Sequence, residues 1–263
     1  MARIFSLVNQ KGGVGKTTSA INISAYLCSY GQRVLLVDID PQANATASLG
    51  VEKNAIQSSS YEVIIGDEPP GPQILHNPRL KISLLPSAPA LAGAEVELVE
   101  MQNRESRLRD ALMEIQERYD YILIDCPPSL GLLTINGLVA AKDGILIPVQ
   151  CEYLALEGLG QLTQTISRVR SGLFPGLSVR GVILTMYDGR TRLAVDVVRE
   201  VRNFFPEKVF ETIIPRSIRL AEAPSYGQPI SVYAPESTAA KAYSSLAREI
   251  LAQDHITIPE PAA

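Results

Sequence analysis

The sequence predicts an α/β domain whose twisted, mostly parallel β-sheet carries helices on both faces. Short apolar runs alternate with helical patterns along nearly the whole chain. Several of these runs are apolar at every position, as in strands that are buried on both sides of a parallel sheet. With 263 residues, of which 46% are hydrophobic and 20% are charged, the chain can bury a full core within a single domain.

The first predicted strand, residues 4–8, is followed by a glycine-rich loop and a helix. The loop reads Q-K-G-G-V-G-K-T-T over residues 10–18. Glycines let backbone N–H groups converge on phosphate oxygens, and the helix N-terminus adds the positive end of its dipole. The pattern predicts a single-domain P-loop fold in which Lys16 reaches the phosphates of ATP and the Thr17 hydroxyl holds Mg²⁺. The alternative is an ordinary glycine-rich turn between a strand and a helix.

Two later strands are predicted to end in aspartates. Asp38 ends an apolar run that begins at residue 34, with Asp40 two positions further on, and Asp125 ends the run that begins at residue 121. Open α/β sheets bind ligands at the carboxyl ends of their strands. We therefore expect Asp125 to complete the Mg²⁺ site through a bound water. Asp38 and Asp40 share one face if the strand continues to residue 40, because side chains alternate along a strand.

The rest of the chain continues the alternation of strands and helices. We predict a capped helix that begins near residue 58, a loop over 67–72, a strand over 80–86, and one long or two shorter amphipathic helices over 94–118. Later strands are predicted at 144–149, 179–185 and 209–214, and later helices at 155–170, 192–205 and 237–252. The domain is predicted to cover residues 1–253, followed by a frayed, proline-containing tail over 254–263.

Six stretches resemble the ParA/Soj family of chromosomal DNA-partitioning ATPases. They are N-Q-K-G-G-V-G-K-T-T at 9–18, L-L-V-D-I-D-P-Q at 35–42, D-C-P-P-S-L at 125–130, P-V-Q-C-E-Y-L-A-L-E-G at 148–158, M-Y-D-G-R-T at 186–191 and I-P-R-S-I-R-L-A-E-A-P-S-Y-G at 214–227. The loop has Gln10 where the common form has glycine, with Lys11 beside it, and it looks like the deviant loop of ParA/MinD-class ATPases. This loop alone also fits MinD, nitrogenase iron protein and several ligases, whereas the later stretches favour chromosomal partitioning.

The resemblance implies roles that spacing alone does not supply. It implies that Lys11 reaches across an ATP-bound homodimer to the partner's phosphates, that Gly12 lets the subunits approach, and that Asp40 orients or activates the attacking water. The implied adenine contacts are Pro215 and position 217, where the family usually has Asn and this chain has Ser217. The predicted nucleotide contacts are Lys11, Gly12, Gly13, Val14, Gly15, Lys16, Thr17, Thr18, Pro215 and Ser217. The predicted catalytic residues are Lys11, Lys16 and Asp40.

The resemblance also implies non-specific DNA binding by Arg190 and Arg219. Arg192 and Arg216 flank them, so we expect a local basic surface that contacts phosphates, although the net charge of the chain is −4. The alternative is a solvated face of mixed charge. The family further implies a ParB-type partner that accelerates a slow basal hydrolysis.

Two other functional classes remain open. A MinD-type membrane-cycling ATPase needs a basic amphipathic C-terminal helix, whereas the tail from residue 254 is short, acidic and broken by proline. A nitrogenase-type iron protein needs two well-placed thiolates per subunit, and Cys126 and Cys151 lack that family's flanking glycines. The cysteine pattern, an N-terminus that runs directly into the first strand, and the lack of an apolar run of about 20 residues predict a cytoplasmic protein without membrane contact. The DNA binding that the resemblance implies further predicts association with the nucleoid.

Overall fold

The computed structural model describes residues 1–153 and 155–258, with the backbone alone described for residues 155–157. Leu154 and residues 259–263 lie outside the described residues. Leu154 belongs to the ParA/Soj-like stretch at 148–158, and residues 259–263 belong to the predicted tail. Within that description, the strands are β1 (Arg3–Leu7), β2 (Val34–Asp38), β3 (Leu75–Asn77), β4 (Ile82–Leu85), β5 (Tyr121–Asp125), β6 (Ile145–Gln150) and β7 (Val179–Thr185). They form one sheet in the order β3-β4-β2-β5-β1-β6-β7, in which β3 alone is antiparallel to its neighbour.

Helices connect the strands in the alternation that parallel pairing requires. They are α1 (Lys16–Ser29), α2 (Asn44–Ser48), α3 (Ser60–Ile64), α4 (Pro70–Gln73), α5 (Ala94–Glu97), α6 (Arg107–Met113), α7 (Leu132–Ala140), α8 (Ala155–Gly172), α9 (Arg192–Phe204), α10 (Ile218–Glu222), α11 (Ile230–Tyr233) and α12 (Thr238–Gln253). Ser59 caps α3 and forms a capping box with Glu62, which confirms the predicted capped helix. None of the helices formed by residues 1–153 and 155–258 combines the length and apolar character that crossing a bilayer requires.

The sheet separates two hydrophobic cores. Neighbouring residues of one strand point to opposite cores: Ile4 packs with the residues under α6, α7 and α8, whereas Phe5 packs with those under α1 and α12. The central strands β2 and β5 are buried at every position. The predicted fold class, with helices on both faces of a mostly parallel sheet, is therefore confirmed.

The predicted amphipathic helix over residues 94–118 is interrupted between α5 and α6. The side chain of Asn136, on α7, donates to the carbonyl oxygen of Arg104 at 2.6 Å and accepts from the Leu108 N–H at 3.1 Å. These bonds satisfy the backbone where helix formation stops. Of the two predicted possibilities, two shorter helices therefore agree better with the structure than one long helix. The α7 helix itself was not predicted; its first N–H group, that of Leu132, donates to the carboxylate of Glu95 at 2.8 Å.

The strand predicted over residues 209–214 is wrong. This segment runs beside β7, where the Phe210 N–H donates to the Val182 carbonyl oxygen at 3.0 Å. The N–H groups of Glu211 and Thr212, however, donate to the carboxylate of Glu249 on α12, at 2.7 and 3.1 Å. A side chain from a distant helix thus takes the Thr212 donor, which a regular strand would place in the ladder with β7.

Two local predictions near the sheet edge need correction. The loop predicted over residues 67–72 contains the start of α4, which begins at Pro70, a residue suited to the first turn of a helix. The edge strand β3 was not predicted. It has only three residues, so its side-chain alternation is too short to read from the sequence.

The tail predicted to fray from residue 254 is packed at its beginning. Asp254 is buried, with 7% of its surface exposed. Its carboxylate accepts from the Tyr121 hydroxyl at 2.7 Å and pairs with Arg180 at 2.8 Å. Ile256 and Ile258 also pack against the core under α12. The packed part of the chain therefore extends through residue 258.

Candidate functional site

The loop between β1 and α1 turns at two glycines in the left-handed region, with φ of +75° at Gly13 and +90° at Gly15. Glycine adopts this conformation without the steric cost that a Cβ brings. An ideal Cβ at Gly12 or Gly13 would meet no atom of the described chain within 4 Å. The backbone of this part of the loop therefore borders open space, from which a ligand can approach it.

Two side chains that the sequence did not single out anchor the loop to the sheet. Asn9 donates to the carbonyl oxygen of Pro148 at 2.7 Å and accepts from the Lys11 N–H at 3.1 Å. The Thr185 hydroxyl donates to the Val14 carbonyl oxygen at 2.8 Å. Asn9 follows β1 and Thr185 ends β7, so their positions at strand ends were the signal that could have identified them.

Lys16 is buried inside the loop, with 7% of its surface exposed. Its Nζ lies 3.5 Å from the Lys11 carbonyl oxygen. Burial lowers the pKa of Lys16, and the nearby Asp125, Cys126 and Asp40 oppose that shift. A buried ammonium is costly without sufficient anionic partners. Phosphate oxygens in the loop would provide them.

Asp125 meets the loop from the adjacent strand, because Leu7 at the end of β1 pairs with Asp125 at the end of β5. Thr17 Oγ1 donates to Asp125 Oδ2 at 2.7 Å. Asp125 Oδ1 is buried and has no hydrogen-bond partner among the described residues. Burial raises the pKa of Asp125 well above its ordinary value, and the carboxylate of Asp38 raises it further.

This donor set fits Mg²⁺. The ion prefers hard oxygen ligands and takes only one or two from the protein, completing its shell with phosphate oxygens and water. The hydroxyl of Thr17 and the orphaned Oδ1 of Asp125 are oxygens of that kind. The described residues contain no group of three or more His, Cys, Asp or Glu side chains arranged to hold a metal by themselves. A Mg²⁺ ion here would therefore depend on phosphate and water as well.

Asp38, the last residue of β2, and Asp40, two positions beyond it, have different surroundings. The strand ends at Asp38, so it does not continue to Asp40 and the expected shared strand face does not form. Asp38 is fully buried and accepts from the Thr46 N–H, the Thr46 hydroxyl and the Asp40 N–H. Burial raises the pKa of Asp38 to about 6, and these hydrogen bonds oppose the rise. Asp40 Oδ1 accepts from the Gln42 N–H at 2.9 Å in the turn that follows.

A cavity of about 380 Å³ opens beside the loop. Gly15 and Thr18 line one side, and the segment that contains Pro215 and Ser217 lines the other. Thr185 and Tyr243 also line the cavity. The cavity is suited in position and size to the base and sugar of a nucleotide whose phosphates occupy the loop.

Comparisons with known proteins agree with this arrangement. Residues 2–179 match the family model described as an AAA domain. The chain is 52% identical over 255 residues to the chromosome partitioning protein ParA of Myxococcus xanthus, covering 97% of this chain and 89% of that one. It is 50% identical over 252 residues to the sporulation initiation inhibitor protein Soj of Bacillus subtilis, covering 96% and 99% of the two chains. The chain belongs to the ParA/Soj family of chromosome-partitioning ATPases.

Solved structures confirm the P-loop fold of this ParA/Soj family member. Cobyrinic acid a,c-diamide synthase from Mycobacterium smegmatis with bound ADP and magnesium has a TM-score of 0.85 and 37% identity, and the match covers 100% of both chains. The septum site-determining protein MinD from Pyrococcus horikoshii, complexed with Mg-ADP, has a TM-score of 0.76 and 28% identity, over 95% of this chain and 96% of that one. Both are less similar in sequence than the partitioning relatives.

Arg190, which the ParA/Soj resemblance implicates in DNA binding, and Arg216, which was predicted to flank that surface, both act on the carboxylate of Asp188. Arg190 donates to both oxygens of Asp188, at 2.8 and 2.6 Å. These bonds lower the pKa of Asp188 to about 2, and the charge of Arg216 contributes to the shift. Arg216 itself pairs with Glu152 at 2.8 Å. The predicted basic surface therefore carries carboxylates among its guanidiniums.

The other two arginines lie in α9 and α10. Arg219, which was predicted in a loop, lies in α10 and pairs with Glu222 at 2.9 Å. Arg192 is exposed at the first position of α9, directly after the capping residue Thr191. All four predicted arginines are thus exposed, and three of them are engaged by nearby carboxylates.

Proposed function

We propose that this chain is a Mg²⁺-dependent ATPase whose ATP-bound homodimer binds DNA without sequence preference, on the nucleoid in the cytoplasm. A ParB-type partner accelerates hydrolysis in this proposal, and the DNA is then released. The observation that carries the proposal is the buried Asp125 Oδ1, which has no partner among the described residues and lies beside Thr17 at the base of a glycine loop. A buried carboxylate oxygen without a hydrogen-bond partner is suited to bind the Mg²⁺ of a nucleotide, directly or through water.

The proposed reaction is phosphoryl transfer to water, in which positioning and charge stabilisation supply most of the catalysis. Bound Mg²⁺ would neutralise phosphate charge and orient the phosphate oxygens. Lys16 would bind the β- and γ-phosphates, and Thr17 and Asp125 would hold the Mg²⁺ ion together with its bound water. Asp40, just beyond the end of β2, orients the attacking water. The loop contains no arginine, which is consistent with a slow basal rate.

The proposed dimer brings Lys11 to the partner's phosphates. Gly12 is exposed and has open space around its Cα, which supports a close approach by a second subunit. Dimerisation would also bring two sets of arginines together on one DNA duplex. The second contact then becomes intramolecular, which raises the overall affinity without any new type of contact.

The remaining alternatives have less support. The apolar face of α12 packs against α1, and Ile256 and Ile258 join the same core, so α12 and the described residues after it present no free basic amphipathic C-terminal helix for a MinD-type membrane contact. Cys126 and Cys151 are buried, and burial raises the pKa of Cys151 to about 11. Such thiols are poorly suited to hold a shared iron–sulfur cluster as thiolates.

The proposal is tested by size-exclusion chromatography and electrophoretic shifts with ATP, with ADP and without nucleotide. We expect an ATP-dependent dimer that shifts two unrelated duplexes equally, with binding that weakens steeply as salt rises. Lys16→Ala should lose nucleotide binding, because it removes the charge that faces the β- and γ-phosphates. Lys11→Ala should bind ATP but remain monomeric, and Arg219→Ala should dimerise but bind DNA weakly. Nucleotide-independent or strongly sequence-selective binding would contradict the proposal.

A further inference from the structure

We infer that Thr46 and Ser87 are positioning residues that hold Asp40 where it orients water, and that Asp38 is their buried anchor rather than a second catalytic carboxylate. This inference rests on the role proposed for Asp40. It assigns different tasks to the two aspartates of the D-I-D-P-Q segment, and it adds two residues from outside that segment to the hydrolytic machinery.

The Thr46 hydroxyl is the centre of the arrangement. It donates to Asp38 Oδ2 at 2.7 Å and accepts from the Ser87 N–H at 2.9 Å. The Thr46 N–H donates to the same Asp38 oxygen at 2.9 Å. All three residues have 0% of their surface exposed. Water therefore cannot replace a lost partner without rearrangement, and an unsatisfied buried group costs far more than an exposed one.

Asp40 is held through its backbone on both sides. Its N–H donates to Asp38 Oδ1 at 3.1 Å, and its carbonyl oxygen accepts from the Ser87 hydroxyl at 2.7 Å. The same carbonyl oxygen accepts from the N–H of Ala43 at 2.8 Å, and Ala43 has a left-handed φ of +52°. A residue with a Cβ adopts this conformation only when its surroundings enforce it. The turn that carries Asp40 thus depends on side-chain contacts rather than on a regular strand.

Asp38 is a poor candidate for a second water-orienting group. Its carboxylate accepts three donors from Thr46 and Asp40, and the residue is fully buried. The Ser60 hydroxyl also donates to the Asp38 carbonyl oxygen at 2.8 Å, so the backbone of Asp38 is held as well. Asp38 therefore holds Thr46 in position, and Thr46 in turn holds Ser87, which binds the backbone of Asp40.

The test compares Thr46→Val, which keeps the shape but removes the hydroxyl, with Thr46→Ser, which keeps the hydroxyl. We expect Thr46→Val to lower kcat about ten- to hundred-fold, the effect of a misplaced catalytic group, with ATP affinity unchanged. Thr46→Ser should restore most of the rate. Thr163→Val is the matched control. It also removes a threonine hydroxyl that donates a hydrogen bond, in this case to the Leu159 carbonyl oxygen within α8, away from the site. It should hydrolyse ATP at the wild-type rate.

A double variant separates positioning from general damage to the fold. If Thr46 acts through Asp40, Thr46→Val should cause no further loss of hydrolysis in an Asp40→Ala background. A further loss would overturn the inference, as would a Thr46→Val enzyme with the wild-type kcat. If Thr46→Val does not fold, Ser87→Ala tests the same point, because it removes the bond to the Asp40 carbonyl oxygen. If Asp40→Ala alone hydrolyses ATP normally, the proposed role of Asp40 fails instead.

Discussion

At the residue scale, carboxylates lie beside the surface arginines that are proposed to bind DNA. Arg190 has 88% of its side chain exposed, and its partner Asp188 has 24% exposed. Ion pairs this open to solvent contribute little to stability. In the proposed DNA complex, Arg190 would therefore exchange Asp188 for a phosphate at small cost, while the negative charge of Asp188 would still oppose the approach of DNA.

Asp188→Asn should therefore strengthen non-specific DNA binding about two- to five-fold at low salt, because it removes a local negative charge and weakens the hold on Arg190. The measurement is a DNA titration with ATP at several salt concentrations. Glu236→Gln is the control, because it removes one negative charge, as Asp188→Asn does. Glu236 is exposed and pairs with Lys241. Equal strengthening by both variants would attribute the effect to overall charge and contradict a specific role of Asp188.

At the element scale, the close approach of α7 to the sheet depends on Gly137. A Cβ at this position would lie 2.5 Å from Cys126 Sγ and 3.3 Å from the Cδ1 of Ile39. The Gly137 carbonyl oxygen accepts from the Ser6 hydroxyl at 2.6 Å, which joins α7 to β1. The helix that follows the Asp125 strand is thus seated directly on the strands that form the site.

Gly137→Ala should lower the free energy of unfolding by about 1–3 kcal/mol, because the added methyl group overpacks a filled core. Chemical denaturation measures this change. Cys126→Ala should relieve part of the loss in the double variant, since it removes the nearest clashing atom. Gly160→Ala in α8 is the control: its Cβ meets no described atom within 4 Å, and we expect a gain of about 0.5–1 kcal/mol from helix propensity. A Gly137→Ala protein as stable as the wild type would contradict this packing.

At the scale of the whole molecule, Asp254, which directly follows α12, connects the C-terminal helix to three strands of the sheet. Its carboxylate pairs with Arg3 of β1 at 3.4 Å and with Arg180 of β7 at 2.8 Å, and it accepts from the Tyr121 hydroxyl of β5. These residues lie at the start of three parallel strands. The nucleotide loop follows the other end of β1, so this cluster stabilises the domain without contributing a group to the site.

Asp254→Asn should destabilise the protein by about 2–4 kcal/mol, less than the loss of a fully buried pair because Arg3 is 38% exposed. Thermal or chemical unfolding measures the change, and nucleotide affinity at low temperature should stay at the wild-type value. Asp196→Asn removes a partner from the exposed pair with Arg199 and should change stability by less than about 1 kcal/mol. Weakened nucleotide binding in folded Asp254→Asn would show that the two ends of the sheet are coupled.

Much of the fold and of the phosphate site could be read from local patterns. Apolar runs identified the central strands, because a strand buried on both faces has apolar residues at every position. The glycines and Lys16 identified the loop, because its chemistry lies in consecutive residues. Asp125 could be assigned to the same site, because parallel strands end at the same edge of a sheet.

The remaining features depend on residues that are distant in the sequence and meet only after folding. Asn136 satisfies the backbone at the break between α5 and α6, and Glu249 takes the Thr212 donor that a seventh parallel strand would have used. Ser87 reaches Asp40 across 47 positions, so the spacing of the D-I-D segment could not show which contacts hold each of the two buried aspartates. Local spacing specifies backbone conformation and residue chemistry, whereas hydrogen-bond partners between separate segments are set when the sheet and helices pack together.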